Sequence, residues 1–354
     1  METLLPSFSI VLETENLATA DVRGLARSLD SLAAQEPKPT AANEVWLIES
    51  GDIPPDLLQQ LCDCYPWIKV HHAPPETTYY QAKMLGASLS TGAIVVYYDS
   101  DCLYSPDWLQ TILTCFQDES IQTVAGETTT GGQGAYGTAM ALAYIFPQFS
   151  QRTQPTPTNQ YFLNNVAFRR TFLLQHPIPT DLPLYRGNCV VHAHQLTTQG
   201  YTIWQHPKAK VVHAPPNGLS HFFWRFLLIG HDYYWQKRLI GGEGVGERRE
   251  ERGERREERG VGREERGVGR QESGARSGEA QKESLEADPT PTGVRSKLGV
   301  FGDRLSKLRQ NHPGFWLDLP FALPIAFVAA LLIYAGYLIT SLRPKSLLSI
   351  YSAE

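Results

Sequence analysis

Apolar positions recur with two different periods along the first 125 residues. Short apolar runs predict strands at 8–12, 45–48, 68–71 and 93–98, while spacings of three and four predict helices at 22–32, 56–64, 80–89 and 106–116. Strands that alternate with helices predict an α/β fold with a largely parallel sheet. Such sheets bind ligands beyond the carboxyl ends of their strands, so functional residues are expected where the strands stop.

The pattern changes after residue 124. Strand signals are fewer up to residue 212, and segments such as TTTGGQG and TQPTPTNQ predict loops that cover the site. A helix is predicted over 189–198, closed by Gly200, followed by short strands at 202–204 and 210–213.

The C-terminal third has no globular pattern of its own. The stretch 220–240 mixes aromatic and basic residues, which suits either an interfacial helix or a helix packed on the globular domain. The repeats of GERREERG in 241–295 predict a charged, disordered linker. Residues 319–342 carry no charge and are long enough to cross a bilayer once, with a buried helix as the alternative.

These signals divide the chain into six parts. A globular domain at 1–216 is followed by the interfacial or packing helix at 217–240 and the linker at 241–295. A juxtamembrane segment at 296–318, a transmembrane helix at 319–342 and a short tail at 343–354 complete the chain.

Composition excludes some classes of protein. A net charge of −5 over 354 residues gives no general attraction to nucleic acid. The five cysteines lack the spacing of a zinc site or a small disulfide framework, which favours a reducing compartment. Basic residues on the N-terminal side of the apolar segment, together with an N-terminus that has no signal-peptide pattern, predict a single-pass membrane protein with a cytoplasmic globular domain.

The strongest local signal is AIVVYYDSD, an apolar strand that ends at Asp99 and Asp101. In an extended chain these two carboxylates point to one side, where they would form a site for Mg²⁺ or Mn²⁺ and, through the cation, for phosphate oxygens. The alternative is that Asp99 only caps the turn that follows.

Five segments in order resemble the family-2 inverting glycosyltransferases, which have the GT-A fold: SIVLETEN, EVWLIESGD, YYQAKMLGASLSTGAIVVYYDSD, NNVAFRR and GYTIWQHPKAKVVHAPP. The resemblance covers about residues 7–216 and places Asp99 and Asp101 on the family's DXD motif, which binds the divalent metal and the sugar nucleotide. It therefore implies a membrane-anchored enzyme that uses a nucleotide sugar and Mn²⁺ or Mg²⁺.

The resemblance assigns further roles. Thr14 and Glu15 fall near the nucleoside, and Glu49 falls where the family has a base-contacting Asp. Lys83 matches a cation that offsets diphosphate charge, the alternative being a solvated helix residue. His213 matches a histidine that approaches the metal, the alternative being a hydrogen-bonded structural residue.

One departure from the family concerns the catalytic base. The family has an acidic pair that removes the acceptor proton, and this chain has Asn188 and Cys189 at those positions. Asp181 and Glu127 are the substitutes that the sequence offers, although Asp181 also suits a turn.

The leading hypothesis is transfer of a sugar, with inversion, from a nucleotide-sugar donor to the hydroxyl of a lipid-linked or polysaccharide acceptor at a membrane. A catalytically silent scaffold that binds sugar nucleotide or glycan is the first alternative, supported by the missing acidic pair. A nucleotidyltransferase is the second, and it would usually show a Gly-rich basic loop after the first strand, which LETENLATAD lacks.

Overall fold

A computed structural model describes residues 5–14, 22–51, 53–241, 294–312 and 314–351. The strands are β1 (Phe8–Glu13), β2 (Val45–Glu49), β3 (Ile68–His72), β4 (Ile94–Tyr97), β5 (Cys102–Tyr104), β6 (Thr123–Thr130), β7 (Thr156–Thr158), β8 (Val166–Arg169) and β9 (Ile203–His213). The charged repeats and Glu15 lie outside the described residues.

The α-helices of the globular part are α1 (Val22–Ala33), α2 (Pro55–Cys64), α3 (Tyr79–Leu89), α4 (Trp108–Cys115), α5 (Gly134–Ala143), α6 (Arg170–Gln175) and α7 (Asn188–Thr198). The C-terminal α-helices are α8 (Gly218–Gly241), α9 (Val294–Asn311), α10 (Phe315–Leu342) and α11 (Ser346–Tyr351). Strand β5 was not predicted; the other strands and the α-helices of the first 116 residues begin and end close to their predicted positions.

The described strands form one mixed sheet in the order β3-β2-β1-β4-β8-β6-β9-β5, with β7 paired to β9. Strands β1 to β4 are parallel to one another, as predicted. Strand β8 runs antiparallel to β4 and β6, and β5 and β7 run antiparallel to β9. The prediction of an α/β fold is confirmed, while the second half of the sheet mixes both strand directions.

Both faces of the sheet are buried. Ile10 and Leu12 of β1 pack with the side chains of α1 and α4, while Val11 between them packs on the opposite face against α3. Strict alternation in a strand places neighbouring side chains on opposite faces, so an uninterrupted apolar run is what a doubly covered strand requires. The close approach of α3 depends on Gly86, where an added Cβ would lie 2.3 Å from the Val11 side chain.

The two short strands predicted at 202–204 and 210–213 are parts of one longer strand, β9. Ile203–His206 pairs with β6 from Thr123, and Lys210–His213 pairs with β6 from Glu127, with a shift in register between the two stretches. This irregularity lets one strand continue past Pro207, which has no N–H to donate to the sheet.

Helix α10 is a single helix of 28 residues, and its most apolar 18-residue stretch has a mean hydropathy of 2.2. It is long and apolar enough to cross a membrane, and no other helix in the described ranges meets that description. It packs against α5 and α8 through a cluster that includes Ala139, Met140, Phe226, Ala322 and Ala329. The stretch 220–240 lies within α8, and α8 packs on α5 and α10 through this cluster.

Candidate active site

Strand pairing brings Asp101 next to His213. Cys102 of β5 pairs with His213 of β9, and the Ala214 N–H donates to the Asp101 carbonyl over 2.9 Å. The result is a contact of 3.1 Å between Asp101 Oδ2 and His213 Nε2. Two residues that are 112 positions apart in the chain thus meet at one edge of the sheet because β5 and β9 are neighbours.

The carboxylates of Asp99 and Asp101 have different partners. Strand β4 ends at Tyr97 and the chain turns at residues 100 and 101, so the extended arrangement expected from the sequence is not formed. The Asp99 carboxylate accepts hydrogen bonds from Lys83 Nζ at 2.6 Å and from Tyr79 Oη at 2.8 Å. Its backbone N–H donates to Tyr104 Oη at 2.9 Å.

Lys83 is completely buried beneath Asp99, which excludes the solvated helix position considered above. Its Nζ also donates to the Tyr98 carbonyl at 2.5 Å and lies 5.3 Å from the centre of the Tyr79 ring. A buried cation is stable only when paired and hydrogen-bonded, and Asp99 supplies that pairing. Tyr79 and Lys83 share a helix face four residues apart, which the sequence spacing alone could have indicated.

Donor atoms of Asp101, Cys102 and His213 lie within 4.8 Å of one another, as the ligands of a metal ion would. Burial and the Asp101 and Asp99 carboxylates raise the pKa of the Cys102 thiol well above its ordinary value, so it stays protonated and donates to Asp101 Oδ1 at 3.5 Å. Burial by itself would raise the pKa of Asp101, but the charge and hydrogen bond of His213 outweigh it and bring the pKa below its usual range. Asp101 and His213 are therefore the two suitable ligands of the three.

An open cleft of about 460 Å³ lies beside this pair. Its polar side includes Asp99, Arg186, His213 and Arg225, and its apolar side includes Phe146 and Phe162. The centre of the Phe146 ring is 4.7 Å from that of His213. The cleft thus combines two fixed cations with an aromatic wall.

The two arginines of the cleft are held by aromatic rings and by α8. The Arg186 guanidinium lies 3.9 Å from the centre of the Tyr79 ring, and Arg225 Nε donates to Tyr144 Oη at 2.7 Å. The Asp232 carboxylate accepts the backbone N–H groups of Tyr185 and Arg186 at 2.7 and 2.9 Å. Burial raises the pKa of Asp232 to about 6, and the two N–H donors act in the opposite direction, towards the charged form.

Replacing Asp232 with alanine is expected to cost about 1–3 kcal/mol in the free energy of unfolding, because two partly buried N–H groups lose their acceptor. Urea unfolding measures the loss. Asp232→Asn keeps one acceptor oxygen and should retain about half of that stability. Equal stability of Asp232→Ala and the wild type would show that the loop at 183–186 does not depend on the Asp232 hydrogen bonds.

The predicted nucleoside residues lie together at the ends of β1 and β2. Thr14 Oγ1 accepts the Ser50 N–H at 3.2 Å, and Glu49 accepts the Gly51 N–H at 2.6 Å and contacts His72 Nδ1 at 3.0 Å. Glu15 falls outside the described residues. His72 was not singled out by sequence reasoning, although it ends the strand next to Glu49.

The residues considered in connection with the catalytic base are either engaged in other hydrogen bonds or poorly suited to accept a proton. Asp181 is an exposed turn residue, hydrogen-bonded to Thr180 at 3.3 Å. Glu127 is buried, and its two carboxylate oxygens accept the Ser150 N–H and hydroxyl. Cys189 lines the cleft, but burial raises the pKa of its thiol to about 11. The Asn188 side chain donates to the Pro179 carbonyl at 2.8 Å.

The family model for glycosyl transferase family 2 matches residues 22–176, which includes β2 to β4, the turn with Asp99 and Asp101, and α3 with Lys83. The chain carries a family 2 glycosyltransferase domain. The family predicted from the five segments is confirmed for this domain, and glycosyltransferase is the class of enzyme that the family model names. A sequence search of curated proteins finds no significant match.

Solved structures also resemble the family 2 domain. GalNAc-T7, solved with UDP, GalNAc and Mn²⁺, is 16% identical to this chain with a TM-score of 0.48. The match covers 60% of this chain and 45% of GalNAc-T7, so this chain spans less than half the length of that protein. The mannosyltransferase PcManGT from Pyrobaculum calidifontis, solved with GDP-Man and Mn²⁺, is 16% identical with a TM-score of 0.50, over 97% of this chain and 83% of that protein. The second likeness agrees with the predicted GT-A fold.

Proposed function

We propose that this protein transfers a sugar from a nucleotide-sugar donor to an acceptor hydroxyl at a membrane, with a divalent cation bound by Asp101 and His213. The contact of 3.1 Å between these side chains, at the edge of a family 2 domain, is the observation that supports this most. A nucleotide sugar and Mn²⁺ are also what PcManGT, a protein of similar fold, binds.

A carboxylate and an imidazole fit Mn²⁺ better than Mg²⁺, which prefers oxygen ligands and keeps several of its waters. Such a cation, when bound, would neutralise the charge that develops on the leaving diphosphate. Two protein ligands leave coordination positions for phosphate oxygens and water. Asp99 has a different part in this proposal: its hydrogen bonds to Lys83 and Tyr79 fix it in the cleft, where it would accept hydrogen bonds from donor hydroxyls.

The diphosphate would lie between the cation and the arginines of the cleft. Arg186 and Arg225 are fixed by Tyr79 and Tyr144, so they offer positive charge at little cost in side-chain entropy. Lys83 lies beneath Asp99 and acts by holding that carboxylate in place. The nucleoside would extend toward Thr14 and Glu49, whose side chains lie at the ends of neighbouring parallel strands.

The acceptor would enter along the aromatic wall formed by Phe146 and Phe162. This wall lies close to α5, α8 and the apolar helix α10, with which Phe146 and Phe162 share one apolar cluster. A lipid-linked or membrane-proximal acceptor fits a site that lies beside these apolar helices. We place the reaction at the cytoplasmic side of the membrane. Direct attack by the acceptor hydroxyl would invert the anomeric centre.

Removal of the proton from the acceptor hydroxyl is the step for which the described residues of the cleft offer the least catalytic help. Among the described residues that line the cleft, Asp99 is the carboxylate, and it is paired with Lys83. General-base catalysis usually contributes about 10²- to 10⁴-fold, so turnover without a dedicated base would be slow. This feature favours the second candidate function, a silent scaffold that binds sugar nucleotide without transferring the sugar.

Release of nucleoside diphosphate by the purified full chain tests the proposal, with a panel of nucleotide sugars, Mn²⁺ or Mg²⁺, and membrane lipids as acceptors. Metal-dependent release together with a glycosylated lipid supports the transferase. Tight binding of a nucleotide sugar with no release across the panel would favour the scaffold. Release of pyrophosphate would overturn both.

Cys189→Ala is expected to change the rate of sugar transfer by less than about threefold, because a thiol with a pKa of about 11 is protonated at neutral pH and removes no proton. The rate at saturating donor and acceptor measures this. The same variant should keep the donor affinity of the wild type. A loss of 100-fold or more in that rate, with unchanged stability, would make Cys189 the base.

A further inference from the structure

Helix α10 has two different faces. The buried face consists of Phe315, Ala322, Ala329, Gly336 and Thr340, which are mostly small and mostly seven residues apart. The opposite face carries large apolar side chains that are more than half exposed: Leu317, Phe321, Phe327, Leu331, Tyr334 and Leu342. The exposed side chains recur at nearly every turn, so the apolar surface runs along the whole helix.

The buried face is packed closely onto the rest of the protein. An added Cβ at Gly230 of α8 would lie 2.0 Å from the Ile333 carbonyl oxygen, and one at Gly336 would lie 2.0 Å from the Leu227 carbonyl oxygen. His231 Nδ1 lies 3.0 Å from Thr340 Oγ1. Helices α8 and α10 are therefore in backbone contact along the C-terminal half of α10.

Both ends of α10 are connected to the family 2 domain. Before α10, Arg304 of α9 donates to the Leu142 and Tyr144 carbonyls at the end of α5. After α10, the Tyr351 hydroxyl of α11 lies 3.2 Å from that of Tyr185, in the loop that precedes Arg186. Segments on the two sides of the apolar helix thus contact the same domain.

This arrangement conflicts with a helix that crosses the bilayer. From Phe315 to Thr340 the helix rises about 38 Å, more than the ~30 Å of hydrocarbon in a bilayer. A domain that contacts both ends would have to extend through that hydrocarbon. The loop that reaches His231 through the Pro183 carbonyl includes the exposed Asp181, and lipid-exposed irregular backbone is not tolerated there.

We propose that α10 lies parallel to the membrane surface, with its exposed apolar face inserted among the lipids of one leaflet and the family 2 domain above it. The domain takes the place of the polar face that an ordinary interfacial helix has. Basic residues lie at both ends, with Arg309 before α10 and Arg343 and Lys345 after it, as expected if both ends meet anionic headgroups of the same leaflet. Lys307, also before α10, is paired with Asp303 at 2.8 Å. This inference concerns attachment and does not depend on the reaction.

Sidedness of the two ends is the first test. Ser306→Cys in α9 and Ser349→Cys in α11 place exposed thiols before and after α10. Each is introduced into the full chain with Cys62, Cys64 and Cys115 replaced by serine. Sealed membrane vesicles are treated with an impermeant maleimide before and after lysis. The quantity compared is the labelling of each thiol before lysis divided by its labelling after lysis. If α10 lies in the plane of the membrane, this ratio is the same for both thiols. A ratio near 1 for one thiol and near 0 for the other thiol would overturn the proposal.

Depth along the helix is the second test. Leu317→Cys, Phe327→Cys and Leu342→Cys carry a fluorophore, and nitroxide lipids quench it at shallow or deep positions in the acyl chain. A helix in the plane predicts the same shallow depth at all three positions, whereas a spanning helix predicts a deep middle position and shallow ends. Leu174→Cys, an exposed leucine on α6, is the matched control and should show no quenching.

A second copy of the chain is the other possible occupant of this face. In that case the three labels would escape lipid quenching, and the same cysteines would cross-link between copies in detergent. Either this result or a deep position for residue 327 would overturn the proposal, whatever the outcome of the transfer assay. Equal sidedness with uniform shallow quenching would establish it.

Discussion

Asp101→Asn should lower metal-dependent release of nucleoside diphosphate by about 10²- to 10³-fold, the usual effect of removing one group that stabilises the developing charge of a transition state. The asparagine has nearly the same shape and can still contact His213, so the fold should be kept. What is lost is the negative charge that would hold the cation. The measurement is the rate at saturating donor across a range of Mn²⁺ concentrations.

Two results complete this experiment. Asp118→Asn, at an exposed carboxylate hydrogen-bonded only to its neighbour Ser120 among the described contacts, should keep the wild-type rate. His213→Gln should raise the Mn²⁺ concentration needed for half-maximal rate. Unchanged release in Asp101→Asn at limiting Mn²⁺ would show that the cation is bound elsewhere.

Lys83→Met is expected to lower the free energy of unfolding by about 3–5 kcal/mol, because it removes one partner of a buried ion pair and leaves the Asp99 charge uncompensated. Methionine fills a similar volume, so the loss reports on charge more than on packing. Denaturant unfolding of the full chain in detergent gives the value.

A second substitution distinguishes the two causes. Adding Asp99→Asn to Lys83→Met removes the stranded charge, so the double variant should be more stable than Lys83→Met alone. The exposed Lys208→Met should change stability by less than about 0.5 kcal/mol. If the double variant is less stable than the single one, the loss comes from packing and not from the ion pair.

Most of the first half of the fold could be predicted because β1, β2 and β4 are largely apolar runs and the helices between them have a regular period. Strand β8 could not be predicted with the same ease, because four residues between polar loops do not show a period, and its direction is set by contacts with β4 and β6. Helix α5 was missed because GAYGTAMALA is buried on nearly all sides and has no polar face.

The candidate site shows a similar division. Asp99, Asp101 and His213 could be singled out because each follows or ends an apolar run and matches a position of the family that the chain resembles. The contacts around these residues could not be predicted in the same way. The pairing of Lys83 with Asp99 depends on how α3 lies against β4. Arg186, Arg225 and Asp232 lie in segments far along the chain, and only folding brings these segments to the cleft.

The hydrogen bonds that Asp232 accepts from the loop before α7 have a practical consequence for anyone who wishes to study the protein without detergent. Ending the chain after β9 would leave all the described strands of the sheet in place. It would also remove Arg225 from the cleft and the acceptor that holds the backbone at Tyr185 and Arg186. The smallest piece fit for enzymology therefore includes α8, and α8 in turn exposes an apolar surface once α10 is cut away.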